Sequence, residues 1–158
     1  QPYVLDGSTL YYAASGAIHR ITADGTDATL FDVSDLVTSQ MAEQPDGTIL
    51  NLPAVSPSVE ALWVQGDTMY LSTNSQLYCV DLKALSLQTE KKASIQVLPA
   101  AGSIWNLCLT GDYLYYTGDG GFSDTSGYPW QTWRISISGT PVVESNLLPS
   151  SPSTEWAP

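Results

Sequence analysis

At 158 residues the chain is long enough for one domain of ordinary size, which would bury about 68–70% of the surface exposed by the unfolded chain. Five basic residues (Arg20, Lys83, Lys91, Lys92 and Arg134) stand against sixteen acidic ones, and the net charge of −11 argues against nucleic acid or an anionic membrane as partner. Charged residues make up only 13% while Ser, Thr, Gly, Pro and Tyr are plentiful, which suits short strands joined by tight turns and predicts an all-β chain.

In chain order, residues 3–5 and 9–14 read as two strands around an Asp6-Gly7 turn, and 17–22 forms a third after Ser15-Gly16. Residues 28–33 follow Asp24-Gly25-Thr26 as a fourth. Four short strands within so few residues describe an antiparallel meander of the size of one β-propeller blade. After this first unit, about 2–35, comes an insertion over 36–57. A short helix is expected there around 37–43, and the Pro45-Asp46-Gly47 turn with two further prolines stops a longer one.

A second unit, about 59–98, has strands at 61–65, 69–73, 76–82 and 94–98, the last after a polar connection containing Lys91-Lys92. Its Leu77-Tyr78-Cys79-Val80 run is almost continuously apolar, as expected of a strand covered on both faces. The third unit, about 103–148, has strands at 104–109, 113–117, 132–137 and 141–148, with an insertion over 118–131. Residues 149–158 are rich in Ser and Pro and read as a linker or frayed end. No apolar run approaches the roughly 20 residues that span a bilayer, and Gln1-Pro2-Tyr3 opens the sequence without the parts of a signal peptide. The expectation is a soluble chain without membrane insertion.

One signature ties the units together. Asp6-Gly7-Ser8-Thr9-Leu10-Tyr11-Tyr12, Gly66-Asp67-Thr68-Met69-Tyr70-Leu71 and Gly111-Asp112-Tyr113-Leu114-Tyr115-Tyr116 are each a turn followed by an aromatic and aliphatic strand. Tyr11 to His19 and Tyr70 to Tyr78 are both eight apart, whereas Trp133 follows Tyr115 by eighteen, so about ten residues are inserted in the third unit. In a meander, the second-to-third turn and the unit-to-unit link share one end of the sheet. Both insertions are therefore expected at one end, the default recognition surface of a repeat fold.

Leu10-Tyr11-Tyr12 followed by Ile18-His19-Arg20-Ile21-Thr22-Ala23-Asp24-Gly25-Thr26 resembles the low-density-lipoprotein-receptor type of propeller repeat, with its Tyr-Trp-Thr-Asp strand, Ile-x-Arg strand and Asp-Gly-Ser/Thr turn. Tyr115-Tyr116-Thr117-Gly118-Asp119 with Trp133-Arg134-Ile135-Ser136-Ile137-Ser138-Gly139-Thr140 is a looser match. The chain is most similar to divergent bacterial members, which are secreted or surface-anchored proteins of Gram-positive bacteria without assigned function. Tyr stands for the second-position Trp, Cys79 for the Arg, and no Asp follows Ala13 or Ser72, so the resemblance carries strand order but no ligand. Family propellers usually have six blades and this chain supplies three. Three arrangements are open: half of a longer protein, two copies pairing into one ring, or an open stack.

Candidate chemistry is sparse. His19 shares its strand position with Tyr78 and Trp133, which favours a packed or hydrogen-bonded histidine over a catalytic base. Arg20 and Arg134 match across units and read as structural, and two arginines cannot form the three-arginine cluster by which a sialidase-like propeller holds a carboxylate. Cys79 and Cys108 sit in apolar runs and read as small buried hydrophobes, with a disulfide as the alternative; they give no zinc site.

The stretch from Gly118 to Trp130 is the most individual. Phe122, Tyr128 and Trp130 could stack on sugar rings while Asp119 and Asp124 accept hydroxyl hydrogen bonds. The same two carboxylates suggest calcium, without any EF-hand spacing, or the acid pair of a glycosidase. Against all three stands a loop whose aromatics simply pack over a neighbouring blade. Ser123, Gly127 and Trp130 also echo the Asp-box hairpin of sialidases, with Thr125 in place of its Asp. The sequence therefore predicts an all-β chain of three four-stranded blades acting as a non-catalytic, extracellular binding or scaffolding module, without cofactor or metal. A glycan-cleaving propeller and a purely structural half-propeller are the alternatives. The partners expected are a glycan or protein ligand, with a homodimer or further blades to complete the ring.

Overall fold

The computed structural model describes residues 2–36, 41–43, 49–51, 57–74, 76–87, 94–101, 104–118, 131–138 and 143–144. Among these the chain is all-β apart from a 3-10 turn at Val33–Leu36 and one helix, α1, at Leu82–Leu87. No helix among them is long and apolar enough to cross a membrane.

Three antiparallel sheets form in succession, each from one contiguous segment. The first holds β1 (Tyr3–Asp6), β2 (Thr9–Ala14), β3 (Ala17–Ile21) and β4 (Asp27–Asp32) in that order. In the second, β7 (Val59–Gln65), β8 (Thr68–Thr73), β9 (Gln76–Asp81) and β10 (Ile95–Ala101) pair likewise. The third comprises β11 (Ile104–Thr110), β12 (Tyr113–Gly118), β13 (Gln131–Ser136) and β14 (Val143–Glu144). Between the first two sheets, β5 (Met41–Glu43) and β6 (Ile49–Asn51) make a separate hairpin.

The first hairpin of every sheet turns in the same way. Gly7, Gly66 and Gly111 each occupy the first position of a two-residue loop at φ of 58°, 60° and 60°. An added Cβ would meet nothing within 4 Å at any of them, so glycine is needed for its backbone freedom alone. The registers then set equivalent residues opposite one another: Tyr11 against Arg20, Tyr70 against Cys79 and Tyr115 against Arg134. Beyond them the second and third sheets share one more bond, because Leu82 N donates to Asp67 O at 2.8 Å and Ile137 N to Asp112 O at 3.0 Å.

The sheets stack face to face, and the middle one is covered on both sides. Strand period two explains how. Along β8 and β9, Met69, Leu71, Tyr78 and Val80 point into a core shared with Tyr11, Ala13, Ile18 and Phe31 of the first sheet. The intervening Tyr70 and Leu77 point the other way, into a second core with Leu107, Leu114, Tyr116 and Ile135 of the third sheet. The apolar run at 77–80 is thus a strand with two buried faces, as its composition predicts. The first strands β1, β7 and β11 lie side by side along the stack.

Three expectations need correction. Of the helix expected around 37–43, Met41–Glu43 is instead a strand paired with Ile49–Asn51 and 37–40 lie outside the described residues, while just before them Val33 and Leu36 close into a 3-10 turn that buries both side chains. Two short apolar segments flanking the Pro45-Asp46-Gly47 signal satisfy their backbone groups by pairing across it. Conversely, α1 replaces part of the polar connection after β9. Asp81 starts it by accepting from Ala84 N at 2.9 Å, a helix N-cap, and Leu85 anchors it in the first core. Lastly, neither cysteine is a buried hydrophobe: Cys79 is half-buried, Cys108 is exposed, and both are free thiols. Both lie on faces pointing away from the first sheet, with the body of the third sheet between them, so they cannot bond.

Candidate functional site

The end of the stack from which both insertions leave is assembled by bonds between sheets. At its first-sheet corner, Ser15 and Gly16 form the β2–β3 turn with φ of 52° and 77°, the left-handed pair that suits the twist of a two-residue hairpin. Val33 N donates to Gly16 O at 2.8 Å, which brings the exit of β4 to the same end. Three residues later, Leu36 O lies 3.3 Å from the Tyr78 hydroxyl at the start of β9. That phenol is buried, which pushes its pKa up and keeps it a neutral donor. Thr73 and Gln76 close the β8–β9 turn beside it, with Gln76 N donating to Thr73 Oγ1 at 3.2 Å.

A second set of bonds joins the middle and third sheets. Ser72, fully buried at the end of β8, donates to Ile104 O at 2.8 Å, fixing the start of β11. Ile104 in turn pairs with Gly118, the last residue of β12, and Gly118 pairs with Gln131 across the mouth of the second insertion. Trp133 Nε1 donates to Gly118 O at 3.1 Å, and its ring stacks on Tyr116 with centroids 6.4 Å apart. The two insertions therefore spring from bases on the same end of the stack.

The five residues predicted to bind ligand, Asp119, Phe122, Asp124, Tyr128 and Trp130, lie outside the described residues. The structure places the anchor of their loop and not the side chains themselves. Sequence reading missed the anchors: Ser72 and Tyr78 carry no functional motif, and their signal was only a polar group inside an apolar run.

His19 is engaged on every side within the first sheet. Its ring stacks on Tyr12 at 5.0 Å, and Nε2 lies 3.3 Å from Ala14 O, a carbonyl that can only accept. Nε2 therefore carries a hydrogen and donates, while Nδ1 faces Thr29 Oγ1 at 3.4 Å and Asp27 Oδ1 at 3.9 Å. This is a packed, hydrogen-bonded histidine. Burial, followed by the charge of Asp81, pushes the Cys79 thiol up, which disfavours the thiolate a nucleophile needs. Among the described residues, no group of three or more His, Cys, Asp or Glu side chains could hold a metal.

A cavity of about 200 Å³ opens toward the other end, between the first sheet and α1, lined by Tyr11, Arg20, Leu30, Leu82, Leu85 and Ser86 among others. Arg20 is the one charged residue in its lining, and it acts on the Tyr11 phenol, which also feels the charges of Asp6 and Asp67. Near it, Asp24 stays ionised to about pH 2, held down by the Thr22 hydroxyl at 2.6 Å and by Thr26 N at 3.0 Å. That carboxylate organises the Asp24-Gly25-Thr26 turn. Compared with known families and curated proteins, the chain matches no family model and no curated sequence.

Proposed function

We propose that this chain is a non-catalytic extracellular module of propeller-type repeats that binds or scaffolds, with its ligand surface on the end bearing both long insertions. The observation that carries this reading is the convergence of the two insertion bases, pinned through Tyr78 to Leu36 and through Ser72 and Trp133 to Ile104 and Gly118. A rigid stack that presents two long loops side by side is the usual construction of a recognition surface. Propeller-type repetition is supported by the shared hairpin glycines, by the equivalent cross-strand pairs, and by β1, β7 and β11 lying side by side as inner strands would around an axis. The resemblance to receptor-type propeller repeats of secreted and surface bacterial proteins agrees with an extracellular site of action.

The ligand class is a glycan, peptide or protein. On a glycan, Phe122, Tyr128 and Trp130 would stack on sugar faces while Asp119 and Asp124 accept from hydroxyls. The test is a screen of immobilised glycans and peptides, followed by titration calorimetry on any hit. Residues 119–130 are then replaced by the two-residue Ser-Gly turn that joins the same strands in the first sheet. Expected is loss of binding with an unchanged far-UV circular dichroism spectrum. Unaltered binding would remove the loop from the site. Release of sugar products that stops in Asp124→Asn would replace the module with a glycan-cleaving enzyme.

A further inference from the structure

Among the described residues no sheet covers the two outer faces of the stack, and each is the counterpart of a face that is covered inside. With the hairpin glycines aligned, Tyr3 and Leu5 of the first sheet correspond to Leu62 and Val64 of the second and to Leu107 and Leu109 of the third. In the second sheet both positions are buried against the preceding sheet, and in the third Leu107 is buried and Leu109 packs against the core. In the first sheet the same positions are open: Tyr3 is 74% and Leu5 64% exposed, with Tyr12 and His19 stacked beside them.

The opposite end shows the converse. Tyr11 and Tyr70, buried at 7% and 5% exposure, face the next sheet in the stack. Tyr115, their counterpart, is half-buried on the face turned away from the second sheet, next to the exposed Cys108. On the third-sheet face Arg134 lies over Tyr113, and on the first-sheet face the Tyr12 hydroxyl donates to Asp27.

We propose that these two faces meet between two copies of this chain, the third sheet of each seating on the first sheet of the other. The pairing continues the front-to-back stacking already used twice within the chain. It is heterologous at each junction but closed by a two-fold axis, so both outer faces of both copies are satisfied. Four strands about 4.8 Å apart, with about five residues at about 3.3 Å each, cover roughly 300 Å² per face. Two junctions of two faces then bury on the order of 1,300 Å², within the range of stable interfaces. The inference is independent of what the loop-bearing end binds.

The test is light scattering on the 158-residue chain over a concentration series, at about 0.15 M salt so that the net charge of −11 on each copy is screened. Expected is a dimer of twice the 17.0 kDa chain mass. Leu5→Lys and Tyr115→Lys, each on one face, should both give monomers with unchanged circular dichroism; Tyr3→Lys and Cys108→Lys serve the same two faces should either variant fail to fold. Mixing a first-face variant with a third-face variant should restore part of the dimer, because one junction of the mixed pair is then intact. A wild-type monomer at every concentration, an open series of larger oligomers, or a dimer sensitive to only one face would overturn the proposal.

Discussion

The Tyr78 hydroxyl reaches 3.3 Å from the Leu36 carbonyl oxygen, across 42 residues of sequence. This bond fixes the last residue before the first insertion to the start of β9, and the hydroxyl also lies 3.2 Å from Gln76 Oε1. One hydroxyl proton serves one acceptor at a time, and Leu36 O is the buried one. Tyr78→Phe keeps the ring in the first core and deletes only the bond, so a loss of about 1 kcal/mol is expected. Urea denaturation should show a lower midpoint with an unchanged slope.

The middle sheet belongs to both cores, which has a consequence for cooperativity. Leu71 is fully buried toward the first sheet and Leu77 fully buried toward the third. Leu71→Ala and Leu77→Ala should each cost about 2–5 kcal/mol, the cavity cost of a core leucine. Because β8 and β9 pair with each other, both variants should shift one common transition when intrinsic fluorescence and far-UV circular dichroism are followed together. Two separated transitions, with each variant moving only one, would show that the sheets unfold independently.

Gly66 turns the first hairpin of the middle sheet at φ of 60° with open space around its Cα. Gly66→Ala therefore meets no clash, and its penalty is the left-handed backbone alone, about 1–2 kcal/mol. Gly111→Ala should cost a similar amount, since its φ and surroundings are the same. Thermal melts of the two variants side by side would check the equivalence; a near-neutral result at either would mean that its turn can adopt another conformation.

Burial pushes Tyr116 up to about 12, and burial, with Cys79 adding to it, pushes Tyr70 up to about 12. Both phenols face the core between the second and third sheets. Unfolded, they would ionise near 10. Folding is thus unaffected by these groups below about pH 10, and the stability they confer is lost as pH rises from about 10 through 12. Absorbance at 295 nm should show Tyr70 and Tyr116 among the late-titrating tyrosines, beside Tyr11, Tyr12 and Tyr78, which are also raised, with unfolding in the same window. Tyr70→Phe should remove one late phenol and raise the alkaline midpoint of unfolding. Normal ionisation of both near 10 in the folded protein would contradict the packing of this core.

Much of the chain was legible before any coordinates. Turn glycines followed by Thr, Tyr and Leu runs located eleven of the strands, because a two-residue hairpin demands positive φ and a pleated, half-buried surface favours aromatic and β-branched residues. The fourth strand of the last unit was placed at 141–148, of which Val143–Glu144 is strand and the remainder lies outside the described residues. The spacings from Tyr11 to His19, Tyr70 to Tyr78 and Tyr115 to Trp133 marked equivalent positions in the three units, but the register pairs each tyrosine with the next residue along, Arg20, Cys79 and Arg134. α1 was missed because six residues do not establish a helical period, although Asp81 as cap and the Leu82 and Leu85 spacing were its available signal. The hairpin at Met41–Glu43 was misread for the same reason of length.

What the sequence determined by itself was local: strand, turn and the order in which strands pair, since these depend on neighbours within a few residues. Which face of each strand meets which sheet was decided only in the tertiary structure. Leu71 and Leu77 are both leucines in apolar runs, yet they enter different cores because the middle sheet lies between two others. The same is true of the anchors. Ser72 and Tyr78 are bound by carbonyls 32 and 42 residues away, Ile104 and Leu36, which come within reach only when the sheets stack. Buried polar groups must find partners, and here the partners are the two loop bases that the stack holds together at one end.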